Sequence, residues 1–418
     1  MHHFNYRDNE LYCEGVPIKL IAEKVGTPFY LYSHATLKRH FHAFNDAFDG
    51  VDRLVCFSAK ANTNLAVLKL FADLGGGLDI VSGGELYRGL MAGISPEKIV
   101  YSGVGKREDE IDYALNAEIL MFNIESLQEL ELINNRAGLL NKKAPVAIRV
   151  NPDVDPKTHP YISTGLKKNK FGIDTETAID CYKIAGGLKN IDVIGIDCHI
   201  GSQITEAEPF KDALSNIKTL INELRGLNID IKHIDMGGGL GITYDDESPP
   251  HPGDYARSII QALEGESVKL ILEPGRVIVG NAGILVTRVL YRKPGEAKEF
   301  VIVDAGMNDL VRPSLYGAFH AIMPVKKTKG EQIVADVVGP ICETGDFLAA
   351  NRRIPDLRQG DLLAVMSAGA YGFVMSSNYC SRLKVAEVMV RDDRFHVIRE
   401  RQDYEDLIEG ESIPTFLE

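Results

Sequence analysis

Arg53–Ser58 reads Arg-Leu-Val-Cys-Phe-Ser, a β-branched and aromatic run of strand length. Short apolar runs of this kind read as strands buried on both faces, as in parallel sheets. The pattern recurs at Gly77–Ser82 (GLDIVS), Lys98–Ser102 (KIVYS), Glu118–Phe122 (EILMF) and Pro145–Val150 (PVAIRV). It recurs again at Asp192–His199 (DVIGIDCH), Lys232–Met236 (KHIDM) and Val268–Glu273 (VKLILE). Between these runs lie stretches of helical period. Asn64–Leu74 places Leu65, Leu68 and Phe71 on one face, and Gly84–Met91, Lys106–Leu115 and Glu125–Asn135 repeat the theme. Asp174–Ala185, Ala207–Leu227 and Asp254–Glu264 follow, and a further helix, Ala35–Phe48, precedes the first strand. Strands and helices alternating eight times over about 220 residues predict a (β/α)8 barrel. An open doubly wound sheet is the alternative; the barrel accounts for the strand count and spacing without leftovers.

Past Glu273 the texture changes. Val277–Val279, Gly283–Tyr291, Glu299–Val303, Gln332–Val338, Leu362–Val365 and Lys384–Val390 are strand-like, and helical period is sparse apart from a short stretch near Asn351. This predicts a separate, mostly-β domain. The first ~25 residues also look extended, at Leu11–Cys13 and Val16–Ile18. The expected division is therefore residues 1–30 as a segment joining the β domain, 31–276 as the barrel, and 277–418 as the β domain.

Lys+Arg total 46 against 59 Asp+Glu, a net charge of −13 over 418 residues. So acidic a chain is a poor partner for nucleic acid or an anionic membrane surface. No apolar run approaches the ~20 residues that span a bilayer. The opening Met-His-His-Phe-Asn-Tyr lacks the basic-then-apolar layout of a secretion signal. The six cysteines form no C-x-x-C pair, so neither a zinc ribbon nor a thioredoxin-type site is expected. Their scatter fits a reducing, cytoplasmic setting, with most serving as small core hydrophobes.

In such a barrel, function collects at the C-terminal ends of the strands. Those ends carry Lys60, Asp79, Arg149, His199 with Ser202, Gly237–Gly239, and Glu273 followed by Gly275 and Arg276. A lysine placed there can lose its proton by desolvation and act as a nucleophilic amine. The glycine run lets backbone N–H groups approach an anion, most plausibly a phosphate, although a simple flexible turn reads equally well. It is not a dinucleotide fingerprint, because it ends the seventh strand and no acidic ribose partner follows. Glu273, buried at the end of VKLILE, is costly unless it faces a cation, a proton donor or a metal. An amine, a phosphate cradle and a carboxylate on one rim suggest pyridoxal 5′-phosphate, with a lysine on its aldehyde and a carboxylate keeping its ring nitrogen protonated.

At these positions the sequence resembles the group IV, fold type III pyridoxal-phosphate decarboxylases, and among them the diaminopimelate decarboxylase family. The motifs are Phe-Ser-Ala-Lys-Ala-Asn around Lys60, Asp-Ile-Val-Ser-Gly-Gly-Glu at 79–85, Lys-Phe-Gly at 170–172, and His-Ile-Gly-Ser-Gln at 199–203. Gly-Gly-Gly-Leu-Gly at 237–241, Glu-Pro-Gly-Arg at 273–276 and Arg-Pro-Ser-Leu-Tyr at 312–316 continue the match. Cys-Glu-Thr-Gly-Asp at 342–346 and Ala-Gly-Ala-Tyr-Gly at 368–372 complete it, with Thr344 where the family usually has Ser.

The resemblance implies an alanine racemase-like barrel plus β domain, and decarboxylation of meso-2,6-diaminopimelate to L-lysine. It implies that Lys60 carries the cofactor's aldehyde and that His199 stacks on its ring. Asp79, Ser202, Gly237, Gly238, Gly239, Gly275, Arg276 and Tyr371 would complete the cofactor site, and Glu273 would bond the pyridine nitrogen. Arg276, Arg312 and Tyr316 would take the substrate carboxylate remote from the reacting carbon, Glu343 the distal ammonium, and Tyr371 would touch the substrate too. Cys342 would return a proton to that carbon. A thiol with a pKa of about 8.5 is a fair acid near neutrality. Cys342 and Glu343 would enter the site of a partner subunit, making a homodimer with shared sites. No metal is implied. The alternatives are a decarboxylase of ornithine, arginine or carboxynorspermidine, a non-catalytic pyridoxal-phosphate carrier, and an alanine racemase. The racemase would place arginine, not Glu273, at the ring nitrogen.

Overall fold

The computed structural model describes residues 2–155, 169–296, 298–327 and 331–417. Its backbone divides into two units, Lys38–Ile278 and Met1–Leu37 with Val279–Glu418.

In Lys38–Ile278, eight parallel strands close into a barrel. They are Arg53–Ser58, Gly77–Ile80, Ile99–Tyr101, Met121–Ile124, Ala144–Asn151, Ile191–Asp197, His233–Asp235 and Lys269–Leu272. The last strand pairs with the first, Leu270 opposite Arg53, so no edge remains open. The predicted strands are all present. The fourth starts later than expected, because Glu118 ends the preceding helix in the left-handed conformation (φ 58°). Three crossover helices begin where a side chain can satisfy the first N–H groups. Asn64 accepts from the amide of Ala66, Ser82 from Glu85 and Ser126 from Glu129. In Leu65–Asp73 the inward residues are Val67, Leu68 and Phe71, while Leu65 is exposed, one position off the predicted face.

The barrel floor is apolar. Leu54, Cys56, Val100, Met121, Ala147, Ile194 and Ile271 pack together inside it. Burying each of the larger ones contributes about 1.5–3 kcal/mol. Side chains alternate faces along a strand, so the next inward position lies two residues on. At that level the interior becomes polar: Ser58 follows Cys56, Ser102 follows Val100, Asn123 follows Met121, Arg149 follows Ala147 and Glu273 follows Ile271, all buried. Polar groups buried this way are costly unless bonded to one another, which fixes where the chemistry sits.

The other unit is built on a nine-stranded sheet. Its path runs Phe347–Pro355, Gln332–Val338, Glu299–Val303, Gly283–Lys293, Phe29–Ser33, Ala386–Arg391, Arg394–Arg399, with Ile322–Pro324 and Leu362–Val365 attached beside it. Phe29–Ser33 (FYLYS), wholly buried, pairs with both Gly283–Lys293 and Ala386–Arg391 and was not anticipated from the sequence. Three short strands, Phe4–Arg7, Glu10–Cys13 and Val16–Pro17, form their own small sheet, and Ile18–Val25 is a helix within the stretch expected to be extended. Two further expectations are corrected. Arg276–Val279 is one helical turn, not a strand, and the stretch around Asn351 lies in the strand Phe347–Pro355. Ile18, Ile21, Phe29, Leu31, Ile284 and Val388 sit in the core of this unit. Cys13, Cys56, Cys181 and Cys198 are buried, as expected, whereas Cys342 and Cys380 are exposed. Among the described residues no helix is long and apolar enough to cross a membrane.

Candidate active site

The polar level of the barrel interior begins at Lys60. The first strand ends at Ser58, and one 3-10 turn, Ala59–Ala61, carries the lysine. Its Nζ donates to Asp79 Oδ2 at 2.6 Å. Ser58 Oγ donates to the same oxygen at 2.8 Å and also approaches the carbonyl of Glu273 at 3.0 Å. Asp79 is fully buried, and its Oδ1 has no hydrogen-bond partner among the described residues.

Glu273 directly follows the neighbouring strand, Lys269–Leu272, with 4% of its surface exposed. Burial pushes its carboxyl well above the usual range. Asp235, Asp79 and Asp197 push the same way, and Lys60 opposes them. The hydroxyl of Ser102 donates to Glu273 Oε1 at 3.4 Å, one proton donor of the kind its burial calls for. Asp235 was missed at the sequence level. It is hydrogen-bonded to Glu273, accepts from the Gly237 amide at 2.9 Å, and burial raises it to about 6. Arg149 supplies a buried cation, held by Glu125 at 2.6 Å and lying 3.7 Å from Asp197. Glu125 in turn accepts from the amide of Gly172, in the Lys-Phe-Gly motif, and Arg149 lies over the Phe171 ring.

The glycine run after the seventh strand is a close-packed cradle. A Cβ on Gly237 would meet His199 Nδ1 at 2.6 Å, and one on Gly238 would meet the Glu273 carbonyl oxygen at 2.2 Å. The Gly238 amide donates to His199 Nδ1 at 3.2 Å. That nitrogen is therefore an acceptor, and the ring proton of the neutral imidazole sits on Nε2. Burial, with Arg149 and Lys60 nearby, pushes His199 well below its ordinary value and keeps the ring neutral. Arg276 is buried and forked. Nη2 donates to Ser202 Oγ at 3.0 Å and Nη1 to Tyr244 OH at 2.7 Å. Tyr244 lies 32 residues from Arg276 in sequence, and no local signal announces it.

We expect Gly238→Ala to force the Glu273 backbone aside, since carbonyl and Cβ cannot share the space. Overpacking of this kind costs about 1–3 kcal/mol. The melting temperature should fall by a few degrees, and cofactor affinity, followed by absorbance titration, should weaken. Unaltered cofactor affinity would show that the cradle tolerates a side chain.

Other sequence-singled residues lie in the second unit. Arg312 and Tyr316 are the ends of a five-residue helix, four positions apart and so on one face. Arg312 is buried, and its Nη1 meets His320 Nε2 at 2.8 Å, while His320 Nδ1 meets the Met366 carbonyl at 2.8 Å. The carbonyl can only accept, so Nδ1 carries the proton and Nε2 accepts from Arg312. Tyr371 adopts the left-handed conformation (φ 55°), which is uncommon for a bulky side chain. Cys342 and Glu343 are exposed on the loop before Asp346, and Glu343 is hydrogen-bonded to Tyr379. Asp346 anchors that loop by accepting from the Met307 and Ile341 amides, each at 2.6 Å.

A lysine poised on a buried carboxylate, a glycine cradle and a raised acid, all at one end of a parallel barrel, define a site for a phosphorylated aldehyde cofactor with a basic ring nitrogen. The pyridoxal binding domain of the pyridoxal-dependent decarboxylases matches residues 34–280. A diaminopimelate decarboxylase of Pseudomonas aeruginosa is 53% identical over 410 residues, covering 98% of this chain and 99% of its own. That of Aquifex aeolicus is 52% identical over 408 residues, 97% of each chain. The crystal structure of the Helicobacter pylori diaminopimelate decarboxylase complexed with L-lysine superposes with a TM-score of 0.91 at 44% identity, covering 94% of this chain and 98% of that one. The chain belongs to the diaminopimelate decarboxylase family of pyridoxal-dependent enzymes.

The residues present fit the cofactor. Asp79 Oδ1 is a buried acceptor without a partner among the described residues, the cradle has room only for backbone, and Glu273 is a buried carboxyl whose hold on a proton burial strengthens.

Proposed function

We propose a division of labour among these residues for the family's reaction. The reaction is pyridoxal-phosphate-dependent decarboxylation of meso-2,6-diaminopimelate to L-lysine and CO2, the last step of lysine biosynthesis. What carries the reading is identity above 50% across nearly the whole chain, with each motif residue of the barrel gathered at one end. When bound, pyridoxal 5′-phosphate supplies an aldehyde that captures the substrate amine and a protonated ring that draws off the electron pair of the breaking C–C bond.

Lys60 holds that aldehyde at rest, and Asp79 fixes the direction of its Nζ. Glu273 faces the ring nitrogen and keeps it protonated. His199, neutral and locked by the Gly238 amide, covers one ring face. The Gly237–Gly239 run, Ser202 and Gly275 line the phosphate, Gly237 and Gly238 by allowing close approach while their amides stay on Asp235 and His199. Arg276, tied to Ser202, reaches from there to the substrate's remote carboxylate. Arg312 and Tyr316 bind the same carboxylate, Glu343 the remote ammonium, and Tyr371 touches cofactor and substrate. The Cys342 thiol returns a proton to the carbon that loses CO2. Cys342 and Glu343 serve the site of a second copy, so the working unit is a homodimer, and it acts in the cytoplasm.

The direct test offers the purified chain with pyridoxal phosphate four substrates separately, meso-diaminopimelate, ornithine, arginine and lysine, and measures CO2. Release from the first alone is expected. Equal release from ornithine or arginine would move the assignment to a basic-amino-acid decarboxylase.

The shared site has its own test. Lys60→Ala and Cys342→Ala chains, each inactive alone, should regain activity when mixed, because one hybrid site keeps both residues. No recovery after verified subunit exchange would place Cys342 in its own chain's site.

A further inference from the structure

We infer that Asp235 is a positioning residue whose carboxylate keeps a proton on Glu273, so that Glu273 brings to the ring nitrogen the proton it needs. The inference rests on the reading that Glu273 faces that nitrogen.

The hydrogen bonds assign the proton. Asp235 Oδ1 accepts the Gly237 amide at 2.9 Å, and Oδ2 accepts Asn123 Nδ2 at 3.2 Å. Both Asp235 oxygens are thus engaged by donors, which suits an anion. Asp235 is also hydrogen-bonded to Glu273, and two carboxyl groups can bond each other only through a shared proton. Since Asp235 is the acceptor, Glu273 is the acid. Its other contact agrees. Asn123 Nδ2 also donates to Ser102 Oγ at 3.0 Å, which turns the Ser102 proton towards Glu273 Oε1, the carbonyl-like oxygen of the acid. The orientation of the Asn123 amide is fixed, because its nitrogen finds two acceptors while its Oδ1 is buried without a donor among the described residues.

The charges around the pair favour the same state. Asp79 and Asp197 face Glu273 as further carboxyls, Lys60 and Arg149 as cations. Burial comes first among the causes that raise Glu273, and Asp235 is the largest of its neighbours' contributions. The Gly237 amide and the Asn123 side chain stabilise the Asp235 anion. On cofactor binding the Glu273 O–H bond breaks and the ring N–H bond forms. Glu273 is left as the carboxylate that accepts from it, and no proton need come from water.

The test is infrared difference spectroscopy on the full chain carrying 13C-labelled glutamate, cleared of cofactor, at about pH 8.5. That lies above the value of about 7 to which burial raises Glu85. Ordinary glutamates are ionised there, with a pKa of about 4.3. The wild type should show the C=O band of an un-ionised glutamic acid, and Glu273→Gln should lose it. Asp235→Asn should lose it too, because an amide N–H replaces an acceptor and favours the Glu273 anion. Asn123→Ala withdraws a donor from Asp235, so the labelled-glutamate band should fall as the proton moves to Asp235. This second variant decides the matter if Asp235→Asn does not fold. No band in the wild type, or a band that survives both Asp235→Asn and Asn123→Ala, overturns the proposal. Adding pyridoxine 5′-phosphate, which lacks the aldehyde, should abolish the wild-type band. A band that persists in the saturated complex would instead overturn the placement of Glu273 at the ring nitrogen.

Discussion

Lys60→Ala should lower kcat for meso-diaminopimelate by about 10³–10⁴-fold, the range lost with a single essential proton-handling or nucleophilic side chain. That is roughly 4–5.5 kcal/mol of barrier. The geometry makes the loss specific. Nζ is directed by Asp79, 2.6 Å away, a carboxylate that is itself fixed by Ser58. Borohydride treatment of the holoenzyme followed by peptide mapping should tag Lys60 and no other lysine. Lys60→Arg keeps a cation beside Asp79 but cannot bond the aldehyde, so it should be as inactive as the alanine variant while melting closer to the wild type. Alanine strands the buried Asp79 carboxylate. Breaking a fully buried pair costs about 3–5 kcal/mol, but the Lys60 side chain is 35% exposed and solvent screening reduces that figure here. A Lys60→Ala chain with wild-type kcat, or a tag on another lysine, would remove the amine from the mechanism.

The barrel was readable because its strands are buried on both faces and so appear as uninterrupted apolar runs such as Arg53–Ser58. The same property hid Phe29–Ser33. It too is wholly buried, but it stands apart from the alternation and precedes a helix, so nothing in its surroundings marks it as part of a sheet. Val277–Val279 misled for the opposite reason. β-Branched residues favour strands, yet the chain turns after Gly275 and takes one helical turn there. The strand around Asn351 carries Arg352 and Arg353 in a run broken by a positive φ, which obscures its period.

At the site, the residues past the strand ends were legible as motifs. The ring of buried polar residues within the strands was not, since Asn123 and Asp235 each interrupt an apolar run by a single position. The usable signal was the two-residue step above the apolar floor, which needs the floor to be known first. Tyr244 and His320 gave no signal, because each acts through a side chain, Arg276 or Arg312, whose partner only the folded chain identifies.

Arg312→Ala should cost about 2–5 kcal/mol of meso-diaminopimelate recognition, the usual penalty for removing one partner of a desolvated charge pair. In kcat/KM this is roughly 30- to 4,000-fold. The substrate differs from lysine by a second carboxylate, and a planar fork is the geometry that meets a carboxylate with two parallel bonds. His320 bonds that fork through a nitrogen that accepts, with its own proton committed to the Met366 carbonyl. A neutral ring in that place orients the guanidinium without cancelling its charge, which a carboxylate there would do. Arg312→Lys therefore separates the two contributions: it keeps a cation, loses the fork, and should fall between wild type and alanine. Alanine also leaves buried His320 without its donor, a stability cost of about 1–3 kcal/mol, so melting temperature and cofactor absorbance must be measured beside the kinetics. A loss confined to kcat/KM, with cofactor spectrum retained, assigns Arg312 to the substrate. An unchanged kcat/KM for meso-diaminopimelate would leave Arg312 a structural partner of His320 and return the remote carboxylate to Arg276 alone.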